Sequence, residues 1–153
     1  MIYCQKKFFT QDPVYNSILV QMLIIRILKK GNKNIAQKIV YKALNSIKEQ
    51  TGKKPITILE QAILNSMPLV ELKNKRIGNS IYKIPLELRS IKKISLGLKW
   101  IIDSSKNKKG HAFYFKLAQE ILDCFNNQGS TIRKKQEMHQ IAHKNKTFSY
   151  SSI

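Results

Sequence analysis

The residues best spaced to do chemistry are His139 and His143, one helical turn apart in the run MHQIAH. Two imidazoles at i and i+4 can share a metal ion, but the glutamate of the HExxH zinc-protease motif is missing here. The same spacing suits two imidazoles at a helix surface or facing RNA. Cys4 and Cys124 stand at opposite ends of the chain without a framework spacing, which fits free thiols in a reducing compartment. The sequence holds no glycine-rich phosphate loop, no nucleophile elbow and no acid pair with an obvious cleft. Neither a cofactor nor a metal nor catalysis is therefore expected, and the chemistry that remains is electrostatic.

Lys and Arg number 28 against 9 Asp and Glu, a formal charge of +19 in 153 residues. An excess of this size repels itself and reads as charge to be neutralised by a polyanion. The cations are grouped: Lys6 and Lys7; Lys29, Lys30 and Lys33; Lys73, Lys75, Arg76 and Lys83; Arg89, Lys92 and Lys93; Lys99; Lys106, Lys108 and Lys109; Arg133, Lys134 and Lys135. Any one group also fits a solvated face. Two resist that reading. Arg133 to Lys135 is expected in the first turn of the last helix, where the macrodipole disfavours cations. Lys73, Lys75 and Arg76 fall near the tip of a predicted β-ribbon, where they would project as a positive finger. Trp100, beside Lys99, suits either a half-core position or a stacking role on a base.

These groups need elements to hold them, and the apolar periodicity supplies six helices and one ribbon. A basic arm over residues 1–12 leads, after an Asp12-Pro13 turn, into a first helix from Val14 to Lys30 that Gly31 stops. Ile35, Ile39, Ala43 and Ile47 step inward along a second helix ending near Gly52. A capping box of Thr57 and Glu60 opens a third, with Leu59, Ala62, Ile63 and Met67 inward and Pro68 closing it. Val70 and Leu72, then Tyr82, Ile84, Leu86 and Leu88, alternate with polar residues on either side of Gly78-Asn79, the pattern of a hairpin. Its Tyr82, Ile84 and Leu86 edge is expected to lean on the helices or on a partner. Ile91, Ile94, Leu98, Ile101 and Ile102 return to helical spacing, with Gly97 suited to a close neighbour. A fifth helix runs from Ala112 to Asn127, stopped by Gly129, and Ser130 caps a sixth carrying Ile132, Met138, Ile141 and Ala142.

The expected fold is mainly α: a single domain over residues 13–148 of about six helices, with one protruding β-hairpin at 69–89 between helices three and four. A polar tail covers 149–153. SILVQMLIIRILKK falls short of the roughly 20 residues of a membrane span, contains Arg26 and lacks a cleavage pattern, so neither membrane nor export is expected.

Four blocks then resemble a known family in order and spacing. They are DPVYNSILVQMLIIRILKKGNKNIAQKIVYKAL, PLVELKNKRIGNSIYKIPLELR, LKWIIDSSKNKKG and GSTIRKKQEMHQIAHKNKTFSY, which together resemble the bacterial and organellar small-subunit ribosomal protein S-seven from Asp12 to about Tyr150. The DPVYNS and PLVE wording is most similar to cyanobacterial and plastid members. The resemblance implies a structural constituent of the small ribosomal subunit that binds the 3′ major domain of its ribosomal RNA, nucleates head assembly and lies near the exit site. It implies RNA contacts on the KKGNK turn, on KNKRIGNS, on Arg89 to Lys93 and on the IRKK start of the last helix. By the same resemblance the ribbon tip, Ile77, Gly78, Asn79, Ser80 and Tyr82, approaches exit-site transfer RNA and messenger, and other head and platform proteins are neighbours of a monomer. The family's double-Arg, double-Gly tip reads Lys75, Arg76, Ile77, Gly78, Asn79 here, which replaces one fork-shaped phosphate contact by a point charge. The arm is also thinner than the family's, and SYSSI stands in place of its His-Tyr-Arg ending.

The rival class is an architectural DNA-binding protein with the ribbon as a groove-seeking arm, which predicts a dimer and duplex binding. The compartment expected is a plastid, then a mitochondrion, then a bacterial cytoplasm. Only Arg26, Arg76, Arg89 and Arg133 among the 28 basic residues are arginine, and this Lys, Asn and Ile preference fits an AT-rich genome.

Overall fold

The chain enters the fold at Asp12, a fully buried carboxylate. Its Oδ2 accepts the backbone N–H groups of Val14 (3.2 Å) and Tyr15 (3.0 Å), and Oδ1 accepts the Tyr41 hydroxyl at 2.7 Å. A short side chain that bonds two and three residues ahead folds the backbone into a tight turn, and Pro13 presets its φ. Asp12 thus belongs to the packed domain, not to the arm, and the first helix starts later than Val14. Burial and then the Asp12 carboxylate push the Tyr41 phenol up to about 12.

The computed structural model describes residues 10–145; Cys4, the arm cations Lys6 and Lys7, and the whole of the expected tail, 149–153, lie outside the described residues. The elements are α1 (Ile18–Ile27), α2 (Lys33–Thr51), α3 (Pro55–Ser66), β1 (Val70–Ile77), β2 (Ser80–Glu87), α4 (Ser90–Asn107), α5 (Phe113–Phe125) and α6 (Gly129–Lys144). This is the mainly α domain with one hairpin between helices three and four. No helix among the described residues is long and apolar enough to cross a membrane.

Helix α5 is the centre of the packing, touching α2, α3, α4 and α6. Its Leu117, Ala118, Ile121 and Cys124 are fully buried against Leu44 and Ile47 of α2, Leu59 and Ile63 of α3, and Leu98 and Ile101 of α4, all in one core. Burial, then the nearby Glu120 charge, raises the Cys124 thiol to about 12, so this free cysteine is an unreactive core residue. Gly97 of α4 sits where a Cβ would come within 3.1 Å of Ser66 Oγ, the close approach its position suggested.

Several sequence expectations shift. The inward face of α2 is Ala36, Val40, Ala43, Leu44 and Ile47; Ile39 is half-buried and Ile35 is 56% exposed. Ile91 of α4 is likewise exposed. Helix α3 opens one turn before the expected capping box, because Pro55 takes the first helical position, where its missing N–H costs nothing. Thr57 Oγ1 instead donates back to the Lys54 carbonyl at 2.8 Å. Helix α1 stops at Ile27, before Gly31, which turns the chain with φ +77°.

The cap of α6 comes from another helix. The carboxylate of Glu120, fully buried on α5, accepts the Thr131 N–H (3.2 Å), the Thr131 hydroxyl (2.7 Å) and the Ser130 hydroxyl (3.3 Å). A negative group at a helix start satisfies orphan donors and suits the dipole. Helix α6 begins at Gly129 in place of a Ser130 cap. Arg133 to Lys135 therefore lies beyond its first turn, and the dipole gives no reason to treat those cations as misplaced.

Candidate nucleic-acid interface

The ribbon is an antiparallel pair in register Val70↔Glu87 to Ile77↔Ser80, closed by Gly78 at φ +62°. Residues directly opposite share a face. Lys73 and Lys75 therefore share a face with Ile84 and Tyr82, while Arg76 and Lys83 lie on the other, so the finger is positive on both sides. Arg76 Nε also donates to the Gly78 carbonyl at 3.2 Å, which folds its guanidinium onto the turn. Gly78, Asn79 and Ser80 are exposed and Tyr82 is half-buried.

The base of the ribbon packs on α6. Ile84 is buried as expected, but Leu86 is 46% exposed and does not complete that edge. Two polar links fix the base: Leu69 N–H donates to His139 Nε2 at 3.2 Å, and Lys92 of α4 pairs with Glu71 of β1. His139 is thus a structural acceptor. Its pKa is lowered, first by burial and then by Lys135. His143 is exposed, and no group of three His, Cys, Asp or Glu among the described residues is placed to hold a metal.

A second positive region lies at the far end of α4, about 27 Å away for 18 residues at 1.5 Å each. There Arg26, Ile27 and Lys29 of the α1 end, Ile39 of α2, Ile102 and Lys106 of α4, and Phe113 of α5 line a cavity of about 260 Å³. It continues on one side into a depression holding Lys30, Asn32 and Ile35, and on the other into one holding Lys99 and Asp103. The result is a trough with an apolar floor, five cations at its rim and one acid. That acid, Asp103, stands 3.4 Å from Lys106. Arg26, not among the cations grouped as contacts from the sequence, is held in place by a hydrogen bond to Ser95 Oγ. Ile35 and Ile39 line the trough in place of the core.

Lys92, Lys99 and Lys106 join the two regions. Seven-residue steps drift only ~20° around a helix, so these three form one stripe along α4. Arg89 and Lys33 are exposed beside the two ends, Lys93 is half-buried and Lys109 is exposed just past α4.

Other predicted contact residues have partners within the fold. Lys108 Nζ lies 2.9 Å from Glu120 Oε2 and 2.7 Å from Asp123 Oδ2. Burial pulls its pKa down, but the hydrogen bonds and charges of Asp123 and Glu120 outweigh that, leaving it raised. Lys135 Nζ donates to the Asn65 carbonyl at 2.7 Å, and burial lowers its pKa. Lys134 Nζ sits 5.5 Å from the centroid of the Trp100 ring. Trp100 is 4% exposed, so it is core and presents no face for a base to stack on. Of the RKK group only Arg133 is left exposed without such a role.

The chain matches the family model described as "Ribosomal protein S7p/S5e" over residues 2–146. It is 43% identical over 146 residues to the small ribosomal subunit protein uS7 of Thermosynechococcus vestitus, covering 95% of this chain and 94% of that protein. The uS7 proteins of Dictyoglomus turgidum and Thermosipho africanus are 45% and 44% identical over 139 residues, 91% of this chain and 89% and 90% of theirs.

Proposed function

From the premise that the chain belongs to the ribosomal protein S7p/S5e family, we propose that it is a structural constituent of the small ribosomal subunit, acting in translation and not as an enzyme. It binds the 3′ major domain of small-subunit ribosomal RNA as a monomer, nucleates assembly of the head beside neighbouring head and platform proteins, and directs its ribbon tip toward exit-site transfer RNA and messenger. The observation that carries this reading is the pair of positive regions, ribbon and trough, joined by the α4 stripe over about 21 Å. A folded RNA presents phosphates on several sides at once, which suits such separated cations better than a single groove of duplex DNA does.

The contacts proposed are Lys29, Lys30, Lys33, Lys73, Lys75, Arg76, Arg89, Lys92, Lys93, Lys99, Lys106, Lys109 and Arg133, to which Arg26 is added; Lys108, Lys134 and Lys135 are given structural roles. We assign the protein to a plastid ribosome. The support is the DPVYNS and PLVE wording and the coding bias, since the cyanobacterial relative at 43% identity is no nearer than the Dictyoglomus one at 45%.

Binding of the full chain to a transcript of the 3′ major domain, titrated across salt against duplex DNA and an unrelated structured RNA, tests the function. Selective binding that persists at raised salt is expected. Equal affinity for all three, collapsing with salt, would return the architectural DNA reading to the front.

A further inference from the structure

The trough is built for more than phosphate. Its central cavity is floored by Ile27, Ile39 and Ile102, walled by Phe113, and about 260 Å³ in volume. Pure phosphate neutralisation needs exposed cations and no apolar floor. Ile27, Ile39 and Phe113, each only half-buried, leave apolar surface open there that the charge alone does not explain. The central volume lies just below the ~300–1,000 Å³ of typical small-molecule pockets, a size that suits one small group.

We propose that this cavity receives one unpaired nucleobase of the bound RNA, splayed out of its strand, with the flanking phosphates held by Arg26, Lys29 and Lys106. The inference rests on the RNA-binding reading and names the nucleotide class that reading leaves open. Charge complementarity selects RNA as the occupant: five cations surround the floor, and the single acid, Asp103, is itself paired with Lys106. An apolar protein segment would meet this rim with no charge to neutralise it. Single-stranded bases that are unstacked by a fold are read by aromatic faces and guanidinium planes. Phe113 and Arg26 supply one of each. Arg26 is preset by Ser95, so little side-chain freedom is lost when a base arrives. Ile35, 56% exposed on the same wall, extends the apolar surface toward the next nucleotide.

The test is a set of 3′ major domain transcripts, each with one unpaired nucleotide made abasic, titrated against the full-length wild-type chain, Phe113→Leu and Phe113→Tyr. Melting curves establish that both variants fold. One abasic site should weaken wild-type binding by about tenfold, the scale of a single base stacked on an aromatic ring. Phe113→Leu should abolish that penalty, and Phe113→Tyr should retain it. The slope of log Kd against log salt should stay the same in all three proteins, since no cation is removed. If no abasic site weakens binding, or if the penalty is the same in Phe113→Leu, the inference is overturned. Loss of wild-type preference for the intact transcript over duplex DNA and an unrelated structured RNA would instead overturn the functional reading itself.

Discussion

Lys106 and Lys108 stand two residues apart and have opposite surroundings. Lys106 is exposed at the rim of the trough, with Asp103 its one acidic neighbour at 3.4 Å. Lys108 faces the buried Glu120 and the half-buried Asp123, and Glu120 in turn caps α6. In sequence both belong to one basic run. The difference shows that a buried acid ties its cation into the fold, whereas an exposed one leaves its partner available to a polyanion.

The largest effect should come from removing the buried acid. Glu120→Ala leaves Lys108 with Asp123 alone and strips the Thr131 N–H of its acceptor, while the Thr131 hydroxyl keeps Ser104 Oγ. Breaking a buried pair in this way costs about 3–5 kcal/mol, and partial exposure of Lys108 places this case toward the lower end. Urea titration should show the loss. A change below 1 kcal/mol would mean that the α5–α6 junction does not depend on Glu120.

Asp12 is the second acid placed inside, and its removal should matter less. Asp12→Ala should cost about 2 kcal/mol by leaving the turn and Tyr41 without their acceptor. The Tyr41 phenol, now pushed up to about 12, should titrate closer to its ordinary value of 10. Ultraviolet titration of the folded protein reads this, and an unchanged phenol would assign the shift to burial and Tyr15 without Asp12.

These two acids also mark what the sequence could and could not disclose. The hairpin was legible because alternation on both sides of Gly78-Asn79 is a local signal. The caps were not, because Glu120 reaches α6 from another helix and nothing in the GST run points back to it. Ile35 and Ile39 kept strict four-residue steps and so looked like core, yet the core face of α2 is set by Ala36, Val40 and Leu44 meeting α1 and α5. The turn after α1, and for Ile39 also α4, made those isoleucines a trough wall. Arg26 was missed for the same reason: an arginine inside an apolar helix reads as a stem until Ser95 is seen to orient its guanidinium. The Lys92, Lys99 and Lys106 stripe was visible as a seven-residue repeat once α4 is treated as one helix.

The pair of lysines gives the sharpest contrast. Lys106→Ala should leave stability within about 0.5 kcal/mol of wild type, weaken RNA binding several-fold and lower the salt slope by about 1. Lys108→Ala should destabilise the fold and leave the slope of the folded protein unchanged. Should the two slopes respond alike, the division between structural and available cations would fail.

The smallest effect tests the boundary between the regions, where His139 holds the ribbon base. Its Nε2 accepts the Leu69 N–H, so this bond requires the unprotonated nitrogen. Burial, then Lys135, lowers its pKa below the ordinary 6.5. Between the lowered value and 6.5 the unfolded chain therefore binds more protons than the folded one, and stability rises with pH in that window. Above about 6.5 the contribution is fully present; as pH falls below it, the contribution declines, levelling off once pH is under the folded value. The loss should be about 1 kcal/mol or less, the scale of one hydrogen bond, and amide exchange at Leu69 should quicken with it. His139→Gln offers an acceptor that does not titrate, so its urea midpoint should drop less than that of wild type between pH 7.5 and 5.5. Equal drops would place the pH dependence elsewhere and leave the ribbon base held by Ile84 packing and the Lys92–Glu71 pair.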